Sequence, residues 1–182
     1  LADGSGTAPI TWIGKELLKN NHRMNTVVGG WNNSEMRTYL KDTIKPLIPA
    51  VTRKQIKAVS KTSHAVDTAG NGFQQQTSDD VWIPNYREIV KSSDLENTGP
   101  MYSAVYKNNA SRIKQKPGNE SVSHWWWLRS SNSVDSFRCI NSDGGVYDET
   151  AYTLNRVALG FATGADTITD SWDEIIASMD DG

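Results

Sequence analysis

The chain has 182 residues, enough for one domain or one domain with appendages, and a formal net charge of −2, with 37% hydrophobic and 22% charged residues. That balance supports a packed core and argues against a nucleic-acid partner, which would call for a concentrated basic face. No apolar run approaches the ~20 residues needed to span a bilayer, and the single cysteine, Cys139, excludes an internal disulfide framework or a multi-cysteine metal site.

The opening on Leu1 leads us to expect a fragment or a processed product. "LADGSGTAP" is loop chemistry, and "ITWI" reads as a short strand with Ile10 and Trp12 on one face. "GGWNNSEMRTYLKDTIKPLIP" predicts a helix capped by Ser34, with Glu35 in the first turn. Met36, Tyr39, Leu40, Ile44 and Leu47 form its apolar face, and Pro46 ends or kinks it. Pro49 suits the start of a second helix, "PAVTRKQIKAVSK". From Thr62 to Asp80 the chain turns polar, and "DTAGNGFQQQTSDD" reads as a long loop. "VWIPNYREI" predicts a strand ended by Pro84 and a helical turn through Glu88. "ENTGP" and "KPGNES" read as turns and "SRIK" as a strand.

The last third predicts short strands at "HWWWLRS", "FRCINS" and "RVALGF". "SDGG" before "VYDET" signals a hairpin, with a type I′ turn that needs positive φ at both central residues. Helices first and antiparallel strands later predict an α+β chain. The final stretch, "ADTITDSWDEIIASMDDG", is acidic without a single base, which leaves the remainder mildly basic.

Candidate chemistry is sparse. His22, His64 and His124 lie far apart and in no metal-ligand spacing. No nucleophile elbow, dinucleotide fingerprint or phosphate loop is present, and the pairs Asp79-Asp80 and Asp180-Asp181 lack the alternating ligands of a calcium loop. Arg138 could lower the thiol pKa of Cys139, although a buried hydrophobe is the commoner fate of such a residue. Asn32, Asn109 and Asn119 begin Asn-x-Ser sequons, of consequence only in a eukaryotic secretory host. These observations lead us to expect a protein that is not an enzyme, holds no cofactor or metal, binds no nucleic acid and inserts into no membrane.

The stretch "HWWWLRSSNS" is the most unusual. As a strand it places Trp125, Trp127 and Arg129 on one face and Trp126, Leu128 and Ser130 on the other. Large apolar groups on both faces predict a covered strand in the core, not a stacking platform. A buried Arg129 would then need a carboxylate, carbonyl or aromatic partner. From Ser130 to Gly164 the chain contains no Lys, Gln, Met or Trp and only one Glu, Glu149. That composition fits an adaptable recognition surface and equally fits loops between short strands.

Seven phrases in order, "LADGSGTAPITWIGKELL", "HRMN", "GGWNNSEMRTYL", "VWIPNYREI", "SRIK", "WWLRSSNSVDSFRCINSDGG" and "VALGF", resemble the Trp-Leu-Arg-Ser domain of unknown function. That domain occurs in gut bacterial surface proteins and their phages, often after immunoglobulin-like repeats. The resemblance covers nearly the whole chain. It implies a C-type-lectin-like fold related to the variable proteins of diversity-generating retroelements, here with two helices near the N-terminus and a small antiparallel sheet built largely from the C-terminal third.

The resemblance further implies that Trp126, Trp127, Leu128 and Arg129 are framework. It makes Asn132, Val134, Asp135, Ser136, Arg138, Tyr147, Asp148, Thr150, Tyr152 and Asn155 ligand-binding, and implies diversification of the residues after the tryptophans. Arg156 and Ala162 depart from the Gly and Cys that members often carry around "VALGF", and the lectin calcium motifs are absent. The expected domain is 1–164, lacking its usual N-terminal strands. Residues 165–182 are expected to be an acidic linker and a helix, "SWDEIIA", which resembles the opening element of the same domain and would pack either on this domain or on a neighbouring copy. The implied function is binding of a protein or glycan on a bacterial surface or phage particle. The alternative is a structural domain of a multidomain adhesin or virion protein with no ligand of its own. Formylglycine-generating oxidases share the lectin-like fold, but a lone Cys139 cannot supply their paired-cysteine or metal chemistry.

Overall fold

The structure is a computed structural model that describes residues 10–26, 28–90 and 100–164. The expected loop at 1–9, most of the "ENTGP" turn and the "SWDEIIA" helix lie outside these residues.

The first strand, β1 (Ile10–Ile13), leads into α1 (Glu35–Tyr39), which continues as a π-helical turn Leu40–Ile44 and a 3-10 turn Lys45–Leu47. The Ser34 hydroxyl accepts from Arg37 N at 3.1 Å, the cap expected from the sequence. Met36, Leu40 and Ile44 are buried and Leu47 is exposed, so the apolar face ends before Leu47. After it come α2 (Ala50–Arg53), β2 (Ile56–Lys57), β3 (Val59–Val66), β4 (Gly72–Asp79), β5 (Val81–Trp82) and α3 (Tyr86–Ile89). The rest comprises α4 (Asn109–Arg112), β6 (Gln115–Lys116), β7 (Asn119–Ser123), β8 (Trp126–Ser131), β9 (Ser136–Ile140), β10 (Val146–Thr150) and β11 (Gly160–Thr163).

This arrangement corrects the expected architecture of two N-terminal helices and a sheet from the C-terminal third. The described residues form four short α-helices and eleven strands, and the strands are spread from Ile10 to Thr163. They build four small antiparallel sheets: β1-β11-β2 with β5 also on β11, β10-β9-β8, β3-β4 and β6-β7. β11 holds β1 on one edge, while β2 and β5 meet it at successive positions, Ala162↔Lys57 and Gly160↔Trp82.

Three local expectations fail for identifiable reasons. The second helix stops at Arg53, because Ile56 and Val59 onward are drawn into strands against β11 and β4, a tertiary override of helical propensity. The long loop is a hairpin, β3–β4, in register from Val59↔Asp79 to Val66↔Gly72. Its polar inward positions are satisfied: Trp31 Nε1 and the Thr77 hydroxyl donate to Asp79 at 2.9 and 2.6 Å, and Arg37 Nε donates to it at 2.6 Å. "DTAGN" is only the turn, in which Asp67 accepts from Ala69 N and Asn71 N. "SRIK" is no strand, because Asn108 and Ser111 form a capping box that starts α4.

The hairpin between "FRCINS" and "VYDET" forms, with a five-residue connection in which Gly144 alone has positive φ, +81°. The expected type I′ turn is therefore replaced by a loop in which Asn141 N donates to Gly145 O and Gly144 N to Asn141 O. The "KPGNES" turn is present, with Gly118 at φ +74° following Pro117.

β8 divides two hydrophobic cores, as its alternation predicted. Trp127 packs with Met24, Trp31, Met36, Phe137 and Cys139, whereas Trp126 and Leu128 pack with Leu17, Ile89, Tyr106 and Ile140. The buried indoles keep their polar ends bonded: Trp126 Nε1 donates to Arg112 O at 3.1 Å and Trp127 Nε1 to His22 O at 2.9 Å.

Two glycines with similar backbone angles offer a test of this packing. At Gly70 (φ +85°) an added Cβ meets nothing within 4 Å, but at Gly144 it would lie 1.9 Å from Asn109 O. Gly70→Ala should cost about 1 kcal/mol, the left-handed penalty alone, and Gly144→Ala upward of about 3 kcal/mol. Urea denaturation of both variants checks the difference.

Candidate functional site

The strands around β8 are tied together by a buried ionic cluster. Asn85 begins α3 with a capping box: its side chain accepts from Glu88 N, and Glu88 Oε2 accepts from Asn85 N, both at 2.8 Å. That box aims Glu88 inward. From β8, Arg129 Nη1 donates to Glu88 Oε2 at 2.7 Å and to Ile83 O at 2.6 Å. Its Nε donates to the Ser63 hydroxyl at 2.8 Å and its Nη2 to Thr62 O at 3.2 Å. From β3, Lys61 Nζ donates to Glu88 Oε1 at 2.9 Å and stands 3.9 Å above the Trp82 ring. Arg129 thus has both the carboxylate and the carbonyls that its burial demanded.

Burial pushes the Glu88 carboxyl up, but the charges of Arg129 and Lys61 and its hydrogen bonds outweigh that and hold it at about 2. Lys61 goes the other way, to about 8, because desolvation exceeds the pull of a carboxylate it shares with Arg129. All three side chains are almost wholly buried, so this cluster is framework.

The predicted ligand-binding residues do not form one cluster. Asn132, Val134, Asp135 and Ser136 form the β8–β9 turn, closed by Asn132 N donating to Ser136 O at 2.9 Å. Thr150 pairs across the ladder with Ser136. The chain just beyond it abuts the turn, with Ala151 N donating to Asp135 O at 2.8 Å. Tyr152 projects from that junction and is 68% exposed.

Arg138 and Asp148 pair farther along the same ladder face, 3.5 Å apart, and the Arg138 guanidinium lies 4.8 Å from the Tyr86 ring centroid. Much of Arg138 is therefore already engaged within the domain. Tyr147 alternates to the opposite face, 56% exposed, with its ring tilted against Trp125 at 5.3 Å. Asn155 exchanges backbone hydrogen bonds with His22. The structure thus gathers Asn132–Ser136, Thr150 and Tyr152 at one end and separates Tyr147 from Arg138 and Asp148.

Sequence reasoning missed Leu154, 61% exposed, and the position of Trp125, half-buried against the core, whose carbonyl accepts from Arg156 N at 3.1 Å and so draws the 152–156 segment alongside. A leucine within "YTLN" was the available signal. Cys139 is buried, and desolvation, then Glu149 and Asp148, push its thiol up to about 12. Among the described residues, no group of three or more His, Cys, Asp or Glu could hold a metal ion, and no helix is long and apolar enough to cross a membrane.

The fold and site define a small antiparallel, β-rich domain braced by a buried ion cluster. Its sequence matches the family described as "Domain of unknown function (DUF6273)" over residues 11–160, and the chain belongs to that family. No curated protein and no solved structure matches it. The resemblance to a domain of unknown function is thus supported, whereas nothing in the comparisons supports a lectin or retroelement relationship.

Two outcomes follow from this chemistry. Glu88→Gln leaves two buried cations short of a counter-ion and should cost about 3–5 kcal/mol in denaturant unfolding. The wild-type stability contributed by Glu88 should be full above pH 4.5 and lost as pH falls towards about 2, a dependence that the Gln variant should lack. Cys139 should react with an aromatic disulfide reagent only at the rate of unfolding; rapid labelling of the native protein would contradict its placement.

Proposed function

We propose that this domain is a non-catalytic recognition module, displayed on a bacterial surface or phage particle, which binds a protein or glycan through the surface formed by Trp125, Tyr147, Tyr152 and Leu154. The observation that carries this reading is the exposure of two tyrosines and a leucine from backbone that is itself tied down. β10 is paired along its length with β9, Ala151 O accepts from Met24 N and Asn25 N at 2.9 Å each, and Asn155 is bridged to His22. Large side chains held out by a fixed backbone bind with little ordering cost, and clustered aromatic anchors are the usual source of interface energy.

The polar turn Asn132–Asp135, joined to the start of the Tyr152 segment by Ala151 N donating to Asp135 O, would supply hydrogen-bonding groups beside Tyr152. Arg138 belongs to the support, given its contacts with Tyr86 and Asp148. The resemblance to gut bacterial surface and phage domains supports the location. Diversification by a retroelement is compatible with the same layout, because turn residues and exposed strand positions can change with little effect on the cores. The absence of Lys, Gln, Met and Trp from Ser130 to Gly164 also fits adenine-directed change at Asn codons.

Screening the domain against arrayed glycans and a panel of secreted and cell-surface proteins would provide a ligand. The triple variant Tyr147→Ala, Tyr152→Ala, Leu154→Ala should then lose binding at least about 100-fold, with Tm nearly unchanged. Retention of full affinity would overturn the assignment.

A further inference from the structure

A cavity lies between β1, the 102–106 turn and the chain around α4. It has a volume of about 420 Å³, within the range of small-molecule sites, and its lining includes Thr11, Tyr102, Tyr106, Ser111, Lys15 and Lys114. Ile13, Val105 and Ile113 supply apolar wall. Two lysines line it, and no carboxylate does among the described residues.

Two of the lining residues, Lys114 and Tyr106, are largely buried yet keep donor capacity for a ligand. Lys114 is only 5% exposed and has no carboxylate within ion-pair distance among the described residues. Its ammonium donates to the carbonyls of Gly14 and Lys15 and lies 5.7 and 5.6 Å from the ring centroids of Tyr106 and Trp126. An ammonium has three donors, so two carbonyls leave one N–H over. Desolvation lowers Lys114 to about 8, the mark of a cation whose charge is incompletely compensated.

Tyr106 is 6% exposed as a residue and lines the cavity, and its hydroxyl is open to the cavity, not sealed in the core. Burial raises it to about 12, so it remains a donor throughout the neutral range. Tyr102 differs, because its hydroxyl already donates to Glu88 Oε1 at 3.4 Å. A phenol that opens to the cavity and an ammonium with one N–H to spare thus share this space. An anion in the cavity could accept from both, and hydrogen bonds to a charged group are stronger than neutral ones.

We infer that this cavity binds the carboxylate of an acidic monosaccharide, free or at the end of a glycan, with Tyr106 and Lys114 as the carboxylate donors. The remaining lining fits a sugar better than a purely apolar acid. Thr11 and Ser111 offer hydroxyls to a hydroxylated ring, whereas Ile13, Val105 and Ile113 can cover its C–H face. Lys15 at the cavity adds a second positive charge, with no carboxylate lining it among the described residues.

Isothermal titration of the full chain with D-glucuronate and with N-acetylneuraminate tests this, with neutral D-glucose as the comparison. At least one acid should bind, and glucose should bind at least tenfold more weakly. Tyr106→Phe should weaken the acid at least tenfold, as expected for losing a hydrogen bond to a charged group. It should leave Tm nearly unchanged, because among the described residues no hydrogen bond of the fold is lost with this hydroxyl. Tyr152→Ala should leave this affinity unaltered, so that failure here and failure of the tyrosine-surface reading are distinguishable. No binding of either acid, equal binding of glucose, or an unweakened Tyr106→Phe variant would each overturn the inference.

Discussion

Glu88 is one carboxylate asked to neutralise two buried cations, and the domain is arranged around that demand. Isolated buried charges are among the most costly groups a fold can contain. The one solution here requires α3, β3 and β8 to arrive together: α3 to aim the carboxylate, β3 to bring Lys61 and β8 to bring Arg129. The same place is stitched by neutral bonds as well. Arg129 N donates to Pro84 O, Tyr86 N to the Ser130 hydroxyl and Asn85 Nδ2 to Thr62 O. Segments more than sixty residues apart in sequence are thereby held in one register.

From that brace the rest of the layout follows. β8 cannot slide by a residue without exchanging its two faces and moving Arg129 away from Glu88. Its fixed register sends Trp127 into one core and Trp126 with Leu128 into the other. β9 and β10 then hang from β8 as a ladder whose free end carries the turn at Asn132–Asp135 and the segment from Tyr152 onward. The candidate recognition surface is therefore far softer in sequence than its support: the support contains groups that need one another, whereas the surface contains groups that need only space.

The sequence made the support more legible than the periphery. Strand alternation in "WWWLRS" identified a doubly covered strand, and the cost of burying Arg129 called for a partner that the capped "NYREI" turn supplies. Ser34 and the Asp-Gly junction were likewise readable, because capping and turn chemistry are local. What escaped depended on distance. The β3–β4 hairpin looked like a loop because Thr77 and Asp79 point inward as polar residues, acceptable only with Trp31 and Arg37 some forty residues away. Arg138 read as a free contact residue because nothing nearby announces Tyr86. Lys114 and Tyr106 share a cavity with β1, about a hundred residues upstream, so no local pattern could have paired them.

The central claim is that Glu88 and Arg129 act as a unit on which the two cores and the ladder depend. A double-mutant cycle in equilibrium urea unfolding tests it most directly, with Glu88→Gln, Arg129→Met and the two combined. The combined variant should be less destabilised than the sum of the singles by at least about 2 kcal/mol, because each single change strands a buried partner that the double change removes. Additive effects, with a coupling near zero, would contradict the account.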